Sequence, residues 1–307
     1  MTKRRGRKRR KKSLWVLIMV LAVSVANMIV NDTFSQKRAE DNYVATGEEG
    51  ELQVHFLDVG QGDATLIFQG EHAMLIDGGD NLKGWQVVDY LQYIGITHLD
   101  YMIGTHPDAD HIGGLDTVLE NISCNTVMMP ELERDTASYE GLMEVLDEKE
   151  IEPISPKPGE TYELGTAIFT ILAPNDVYEN VNDNSIALRL VHGGNSFLFT
   201  GDAENESETE MIKSGRLLAS DVYKVAHHGS SGANSEMFLI AVNPAYAVIS
   251  CGADNDYGHP HSDVLNQLRL MDTEVFRTDE QGTIVTVSDG SEITFNMSPT
   301  ESWQSGD

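Results

Sequence analysis

From Leu52 onward, short β-rich runs alternate with runs of helical periodicity, and this order restricts the fold more than any other feature. Strands are predicted at 52–57, 64–69, 73–76, 99–103, 126–129, 167–172, 185–191, 196–199, 221–225, 246–250, 275–276 and 283–287. Helices are predicted at 85–94, 115–119, 139–146, 204–210, 235–240 and 263–270. The strands and helices alternate in two successive halves of the chain. This order predicts an α/β protein in which two sheets pack together between outer helices.

The amino-terminal residues differ in composition from everything that follows. Met1–Lys12 contains nine basic residues and no acidic one, and the apolar run Leu14–Val30 follows directly. A helix of roughly 17–25 apolar residues can cross a bilayer, and a basic flank stays on the cytoplasmic side. We therefore predict a basic cytoplasmic flank and one transmembrane or signal helix in residues 1–30.

The small residues Ser24-Val25-Ala26 also fit a signal-peptidase site, so an uncleaved anchor and a cleaved signal both remain open. Residues 31–50 are polar and aperiodic and are interpreted as a linker; residues 51–297 form the body and 298–307 a frayed tail. The body is thus expected outside the cell, either held by a single membrane pass or secreted.

The charge of the body limits its partners. The chain has 21 basic and 49 acidic residues, and nine of the basic ones lie in Met1–Lys12, so the remainder carries 12 basic residues and a net charge of −37. Such a body repels polyanions, which argues against binding of nucleic acid through its backbone alone. A metal ion could still hold a phosphate locally. The two cysteines, Cys124 and Cys251, lie in apolar contexts and are expected to be free thiols without a cysteine-based partner.

Polar clusters follow the predicted strands, where α/β folds place their sites. The densest is His106-Pro107-Asp108-Ala109-Asp110-His111, with four potential ligands in six residues. Thr200-Gly201-Asp202 and His227-His228-Gly229-Ser230 follow two later strands. Imidazole and carboxylate ligands suit zinc, manganese or iron, and the absence of thiolates argues against a purely structural zinc site. Alone, each of the two later clusters would also fit a turn.

These segments, with Leu57–Ala64 (LDVGQGDA), resemble the metallo-β-lactamase superfamily, and within it the hydrolase-like domain of the competence protein ComEC. Ser250–His261 (SCGADNDYGHPH) is similar to a late Gly-His-Pro segment of that branch. The resemblance spans roughly residues 51 to 297 and implies a four-layer αββα sandwich, the metallo-β-lactamase fold. The full competence channel has many membrane helices, whereas one is predicted here, so the chain resembles a stand-alone form of the domain.

The resemblance also implies a site with two divalent metal ions, Zn or Mn. His106 and Asp108 would hold the first ion, Asp110 and His111 the second, and Asp202 would bridge both. His228 is favoured over His227 to complete the second site, with His227 contacting substrate; the order of the two is nearly even. The implied set is therefore as follows: metal ligands His106, Asp108, Asp110, His111, Asp202 and His228; catalytic residues Asp110, His227 and His259; supporting or substrate-contacting residues Asp58, Asp63, Asp77, Asn184 and His261. For Asp58 and Asp63 a simple turn role remains open.

One departure from the superfamily pattern concerns the first ion. A further ligand His is common before Thr200-Gly201-Asp202, but the His in that interval, His192, is interpreted as part of a hairpin. The branch carries an Asn-rich segment instead, matched by Asn182-Asp183-Asn184-Ser185. The first site is therefore expected to be oxygen-rich and weaker, which makes manganese a rival to zinc.

Two bridged divalent ions suit phosphodiester hydrolysis, because its transition state chiefly needs positioning and neutralised oxygens. The predicted function is an extracytoplasmic phosphodiesterase or nuclease-like enzyme related to DNA-uptake proteins, with DNA or a cell-wall polymer as substrate. Two alternatives stay open: an esterase of teichoic-acid phosphocholine, and an inactive metal-binding accessory protein of DNA uptake. The oligomeric state is left open.

Overall fold

The computed structural model describes residues 50–306. The predicted flank, membrane segment and nearly all of the linker lie outside the described residues. Within residues 50–306, no helix has the length and apolar character needed to cross a bilayer.

The strands are β1 (Leu52–Phe56), β2 (Thr65–Gln69), β3 (His72–Ile76), β4 (His98–Ile103), β5 (Ser123–Met128), β6 (Thr161–Leu164), β7 (Ala167–Ala173), β8 (Ala187–His192), β9 (Asn195–Phe199), β10 (Val222–Lys224), β11 (Tyr246–Ile249), β12 (Glu274–Arg277), β13 (Ile284–Ser288) and β14 (Ile293–Phe295). The helices are α1 (Gly84–Ile94), α2 (Ala109–Ile112), α3 (Leu115–Asn121), α4 (Ala137–Glu148), α5 (Asn205–Lys213), α6 (Glu236–Val242), α7 (Ser262–Leu270) and α8 (Thr278–Gln281). Two short 3-10 turns span Asn182–Asn184 and Ala226–Gly229.

The strands form two mixed sheets of seven strands each. The first sheet has the order β14-β13-β1-β2-β3-β4-β5, with β1 to β3 antiparallel and β4 and β5 added in parallel. The second has the order β12-β11-β10-β9-β8-β7-β6, antiparallel from β6 to β9 and parallel from β9 to β12. Both sheets therefore combine a meander with parallel strands, as the alternation of elements predicts.

Alternating side chains in the strands build separate cores on the two faces of each sheet. In β2, Leu66 and Phe68 face the helices, whereas Ile67 joins the apolar cluster between the sheets. In β9, Phe197 and Phe199 join this central cluster and Leu198 faces the outer helices.

The helices cover the outer face of each sheet. Helix α1 buries Val87, Val88 and Leu91 in the core of the first sheet, and α7 buries Val264, Leu265 and Leu268 in that of the second. The result is the predicted αββα order of layers.

Some elements differ from the sequence-based prediction. Strands β6 and β14 were not predicted, because each is only three or four residues long and is fixed by pairing with a neighbouring strand. The segment 298–306, expected to fray, is instead held by the fold. The Thr300 amide donates to the Val275 carbonyl (2.8 Å), and the Trp303 ring packs on the core beneath Arg269, whose guanidinium lies 5.6 Å from the ring centroid.

The topology brings four strand ends to one side of the sandwich. The loops that leave the carboxyl ends of β4, β9, β10 and β11 contain, in that order, His106, Asp202, His228 and His259. Chain segments more than 90 residues apart therefore meet at one place, where α/β folds carry their sites.

Candidate metal centre

The first sheet contributes the segment His106–His111. Asp108 lies directly before α2, and this one-turn helix carries Asp110 and His111. The position of helix α2 is fixed by the loop after β1, which contains Gly62 and Asp63. The Asp63 amide donates to the Asp110 carbonyl (3.1 Å). A Cβ on Gly62 would lie 2.3 Å from that same oxygen. A glycine is therefore required where the two loops touch.

Asp77 orients the two histidines of this segment from below. It accepts hydrogen bonds from the Thr105 amide (2.8 Å), the Thr105 hydroxyl (2.8 Å) and His111 Nδ1 (2.9 Å). His106 Nδ1 lies 3.2 Å from the same hydroxyl. Both rings therefore direct Nε2 into the site, and carboxylates that orient ligand rings in this way are common around metal ions.

The second sheet contributes Asp202 and the two adjacent histidines. The Asp202 amide donates to Ser185 Oγ (3.1 Å). His227 and His228 both have left-handed backbones, with φ of 48° and 54°. Consecutive non-glycine residues in this region are strained, and such strain is concentrated at functional sites. Asn234 stabilises the turn, since its side chain bonds both the amide (3.2 Å) and the carbonyl (3.0 Å) of Ala226.

Side chains from the two sheets meet around Asp202. Its Oδ1 lies 3.2 Å from His111 Nε2. Its Oδ2 lies 3.6 Å from His228 Nε2 and 4.0 Å from His106 Nε2. His228 Nε2 is also 3.3 Å from Asp110 Oδ2. Asp202 thus stands between the three histidines, which is the position the bridging role requires.

The hydrogen bonding of these atoms tests whether a metal ion fits. Several buried side-chain atoms of the described residues have no hydrogen-bond partner, and four of them converge here: Nε2 of His106, His111 and His228, and Oδ1 of Asp202. The opposite nitrogens are occupied, since His228 Nδ1 lies 2.9 Å from the Ser250 carbonyl and His111 Nδ1 bonds Asp77. Buried polar atoms rarely stay unpaired. Imidazole nitrogens and a carboxylate that converge in this way form a ligand set for a divalent cation, which binds as the rings release their protons, so the residues fit the implied metal.

Sets of ligand atoms that lie within 4.8 Å of one another identify the strongest candidates. They are His106 with His111 and Asp202; Asp110 with His111 and His228; Asp63 with Asp202 and His228; and Asp63 with Asp77 and His111. Asp108 belongs to none of these sets: its Oδ2 is 3.8 Å from His106 Nε2, and its side chain is 40% exposed. The Asp108 side of the centre is thus the more open one.

The charges of the centre divide the histidines into two kinds. Burial lowers the pKa of His106 to about 3, so this ring is neutral and available as a ligand. Burial also opposes charge on His228, but the carboxylates of Asp202 and Asp63 outweigh it and raise its pKa to about 10. For His111, Asp202 and Asp77 likewise outweigh burial and raise the pKa well above its ordinary value. The negative charge of these carboxylates, which stabilises a proton on His111 and His228, also attracts a metal ion.

Asp63 and Lys224 form a buried ion pair beneath the histidines. Lys224 Nζ donates to Asp63 Oδ2 (2.8 Å), and Asp63 Oδ1 lies 3.4 Å from His228 Nδ1. Burial would raise the pKa of Asp63, but Lys224 and His228 lower it well below the usual value. Asp63 is thus more than a turn residue. Lys224 was missed, although a lysine placed just before the paired histidines in so acidic a chain is a usable signal.

Three predicted supporting residues stabilise loops, and the structure records no hydrogen bond or ring contact from them to a proposed metal ligand; the His261 ring packs against that of His259, with centroids 4.9 Å apart. Asp58 Oδ1 accepts the Gly60 amide within its own turn (3.1 Å). Asn184 bonds the backbones of Tyr178 and Asn180 and so fixes its own loop. His261 Nδ1 accepts the Ser231 amide (2.9 Å). Each was predicted from its neighbourhood in sequence, but its side chain is occupied by local backbone groups.

Besides Ser185, which accepts the Asp202 amide, Asn182 of the Asn-rich segment approaches the site. Its amide donates to Glu204 Oε1 (3.1 Å), and the same oxygen is 3.0 Å from His227 Nδ1. His227 Nε2 lies 3.7 Å from Asp202 Oδ2, at the exposed edge of the cluster. Sequence reasoning missed Glu204, which it assigned only to a helix. His192 is remote, bonded to Ser288 and Gln69 at the β8–β9 hairpin as predicted.

His259 lies above the paired histidines. Its ring centroid is 5.4 Å from that of His227 and 5.9 Å from that of His228, and its Nδ1 is 3.5 Å from Gln61 Nε2. Burial, followed by the neighbouring histidines, lowers its pKa to about 4. His259 is therefore a neutral imidazole at pH 7 and adjoins the centre without entering it.

Comparison with known proteins agrees with this geometry. A family model described as the metallo-beta-lactamase superfamily matches residues 57–253. The chain belongs to this superfamily. Members of the superfamily typically bind divalent metals and are typically hydrolases. The His/Asp cluster described above is a candidate for such a metal site.

Within the metallo-beta-lactamase superfamily, the chain resembles competence proteins. It is 31% identical over 261 residues to ComE operon protein 3 of Bacillus subtilis, covering 79% of this chain and 33% of that one. It is 32% identical to competence protein ComA of Neisseria gonorrhoeae (77% and 32% covered) and to recombination protein 2 of Haemophilus influenzae (76% and 28%). The chain thus spans about a third of the length of these relatives.

Solved structures share the fold. The metallo-beta-lactamase fold protein YhfI of Bacillus subtilis superposes with a TM-score of 0.52 at 13% identity, covering 78% of this chain and all of that one. CmlA, a diiron beta-hydroxylase of Streptomyces venezuelae, gives 0.51 at 16% identity, with 75% and 53% covered. At such identities the likeness establishes the fold alone.

Proposed function

We propose that the chain is a metal-dependent phosphodiesterase that acts outside the cytoplasm in DNA uptake. The observation that carries the proposal is the convergence of three imidazole nitrogens and a carboxylate oxygen, all buried and without hydrogen-bond partners among the described residues. The competence and recombination proteins that resemble the chain supply the DNA-uptake setting.

The centre would hold two divalent ions through six side chains. His106, Asp108, Asp110, His111 and His228 would each bind one ion, and Asp202 would lie between the two. When bound, such ions lower the pKa of a water molecule and neutralise phosphate oxygens. The set contains three carboxylates, three imidazoles and no thiolate, so manganese and zinc are both compatible.

The surrounding residues would position the substrate and move protons. Asp110 is the proposed proton acceptor, because its carboxylate faces His228 at 3.3 Å and its side chain is about one-third exposed. His227, fixed by Glu204, is the proposed contact to a phosphate oxygen. His259 is neutral at pH 7, so it is suited to donate a hydrogen bond to the leaving oxygen and less suited to deliver a full proton.

The location is proposed from the sequence alone. The basic flank and the apolar run of residues 1–30 would tether or export residues 51–297, with phosphodiester polymers as partners on the outer side. Protease added to intact cells should digest the body, and full protection would contradict this placement.

Turnover of a chromogenic phosphodiester tests the activity. The full chain is stripped with a chelator and reloaded with Mn²⁺ or Zn²⁺, and hydrolysis of bis(p-nitrophenyl) phosphate is followed. Activity should return only with metal. Asp110→Asn keeps the shape but removes the proton acceptor and a ligand charge, so the rate should fall by at least about 10²-fold.

The variant Asp58→Asn is the matched control, because the Asp58 carboxylate lies in a neighbouring loop and accepts the Gly60 amide of its own turn. A metal-loaded chain that hydrolyses no diester would favour the metal-binding accessory protein. Preference for phosphocholine esters would favour the teichoic-acid esterase.

A further inference from the structure

Tyr257 is a large aromatic residue that the fold leaves in solvent directly beside the centre. It is 66% exposed, and it lies on the loop between β11 and α7. We propose that Tyr257 is a stacking platform for an unpaired nucleobase, so that the substrate class is single-stranded nucleic acid. This inference rests on the proposed phosphodiesterase function and names its substrate.

A series of ring contacts connects Tyr257 to the metal ligands. The Tyr257 ring stacks nearly parallel on His259, with centroids 5.6 Å apart and planes at 19°. His259 in turn contacts the rings of His227 and His228. The Tyr257 ring thus lies against His259 beside the centre, and the 66% exposure of the residue leaves it accessible to a planar ligand.

The loop that carries Tyr257 is held in place before any ligand binds. The Asn255 carboxamide accepts the amides of Tyr257 (3.1 Å) and His259 (3.0 Å) through Oδ1. It donates to the carbonyls of Gly252 (2.9 Å) and His259 (2.6 Å) through Nδ2. A side chain on a preorganised loop loses little conformational entropy when it binds. The exposed ring is therefore suited to act as a binding surface.

The charge of the body explains why stacking would be needed. Binding of nucleic acid usually depends on lysine and arginine contacts to phosphates, and the net charge of −37 on the residues after Lys12 disfavours such contacts. Stacking of a base on an aromatic ring does not depend on charge and tolerates every base. It requires an unpaired base, because bases in a duplex already stack on one another. The substrate would therefore be a single strand, with one base on Tyr257 and the adjacent diester at the centre.

A matched pair of substrates isolates the contribution of the base. Thymidine 5′-(p-nitrophenyl phosphate) and methyl p-nitrophenyl phosphate share the leaving group and differ in the nucleoside. In the full, metal-loaded chain, Tyr257→Ala should lower kcat/KM for the nucleoside ester by about 5- to 100-fold, the range expected from loss of one base stack. The methyl ester should be unaffected. Tyr257→Phe keeps the ring and should behave like the unchanged chain.

Tyr93→Ala is the control for loss of an exposed aromatic residue, because Tyr93 is 54% exposed near the end of α1. Binding of a short fluorescent oligothymidylate is measured in parallel and should weaken by a similar factor in Tyr257→Ala. Ring-dependent binding without any turnover would support the stacking role and contradict the proposed hydrolase. Equal losses on both esters would overturn the inference in favour of a role in positioning His259. Unchanged kinetics and binding, or a larger loss on a phosphocholine ester, would also overturn it.

Discussion

The two sheets contribute to the metal centre in different ways, although both are built from a meander followed by parallel strands. The first sheet provides His106, Asp108, Asp110 and His111 from one six-residue segment after β4. The second provides Asp202 and His228 from the ends of β9 and β10, and His259, which adjoins the centre, from the loop after β11. A local motif therefore specifies half of the centre, whereas the other half exists only once the parallel strands β9, β10 and β11 lie side by side.

A second difference lies in solvent access. His106, His111, His228 and Asp202 are at most 3% exposed, whereas the Asp108 side chain is 40% exposed and that of His227 is 23% exposed. The inner residues have the geometry of ligands. The outer ones lie where substrate would enter, so mutation of an inner residue should lower metal binding more than mutation of Asp108 or His227.

Removal of Asp202 should have the largest effect, because its carboxylate lies within 4.0 Å of Nε2 of three histidines, two from the first sheet and one from the second. Asp202→Ala should lose both ions, while Asp108→Ala should lose at most the ion at the open side. Elemental analysis of the two purified variants gives the stoichiometry directly. An unchanged content of two ions in Asp202→Ala would refute the bridging role.

The next largest effect should be a difference in metal content between variants of the adjacent histidines His227 and His228. His228→Ala removes a buried Nε2 that faces Asp110 and Asp202, so metal content should fall together with activity. His227→Ala removes a ring at the rim, so metal content should stay unchanged while turnover falls by roughly 10²-fold. The same metal loss in both variants would show that the distinction between inner and outer residues is wrong.

Asp77 should have an intermediate effect through His111. Asp77→Asn keeps the left-handed backbone (φ 58°), which asparagine tolerates, but weakens the acceptor for His111 Nδ1 and for Thr105. Metal affinity should fall about 10- to 100-fold, as is typical when a supporting partner is lost. Competition with a chromogenic chelator measures the change, and affinity equal to that of the unchanged chain would remove Asp77 from the site.

The release of protons on metal binding should give the smallest signal. It measures how many of the buried histidines are protonated before the metal binds. The raised pKa values of His111 and His228 mean that both rings hold protons at pH 7 without metal, and an ion can bind Nε2 only by displacing them. Metal binding at pH 7 should release about two protons, and affinity should rise as pH rises. Calorimetry in buffers of different ionisation enthalpy measures this number. Binding that takes up protons would contradict the account.

The same contrast explains how far the sequence could predict the molecule. The order of layers followed from period-2 and helical patterns, and His106–His111 stood out because four ligands occur within six residues. Asp63 and Lys224 form their ion pair across 161 positions, and Glu204 reaches His227 across 23, so no local pattern could pair them. Asn184 and His261 were expected near the centre, but local backbone groups occupy their side chains.

Anomalous diffraction from crystals of the metal-loaded chain tests the central claim most directly, since it locates ions without reference to activity. The account predicts two peaks about 3.5–4 Å apart, the spacing of two-metal hydrolytic sites, with Asp202 contacting both and His106, His111 and His228 around them. A single peak, or peaks that Asp202 does not touch, would contradict it.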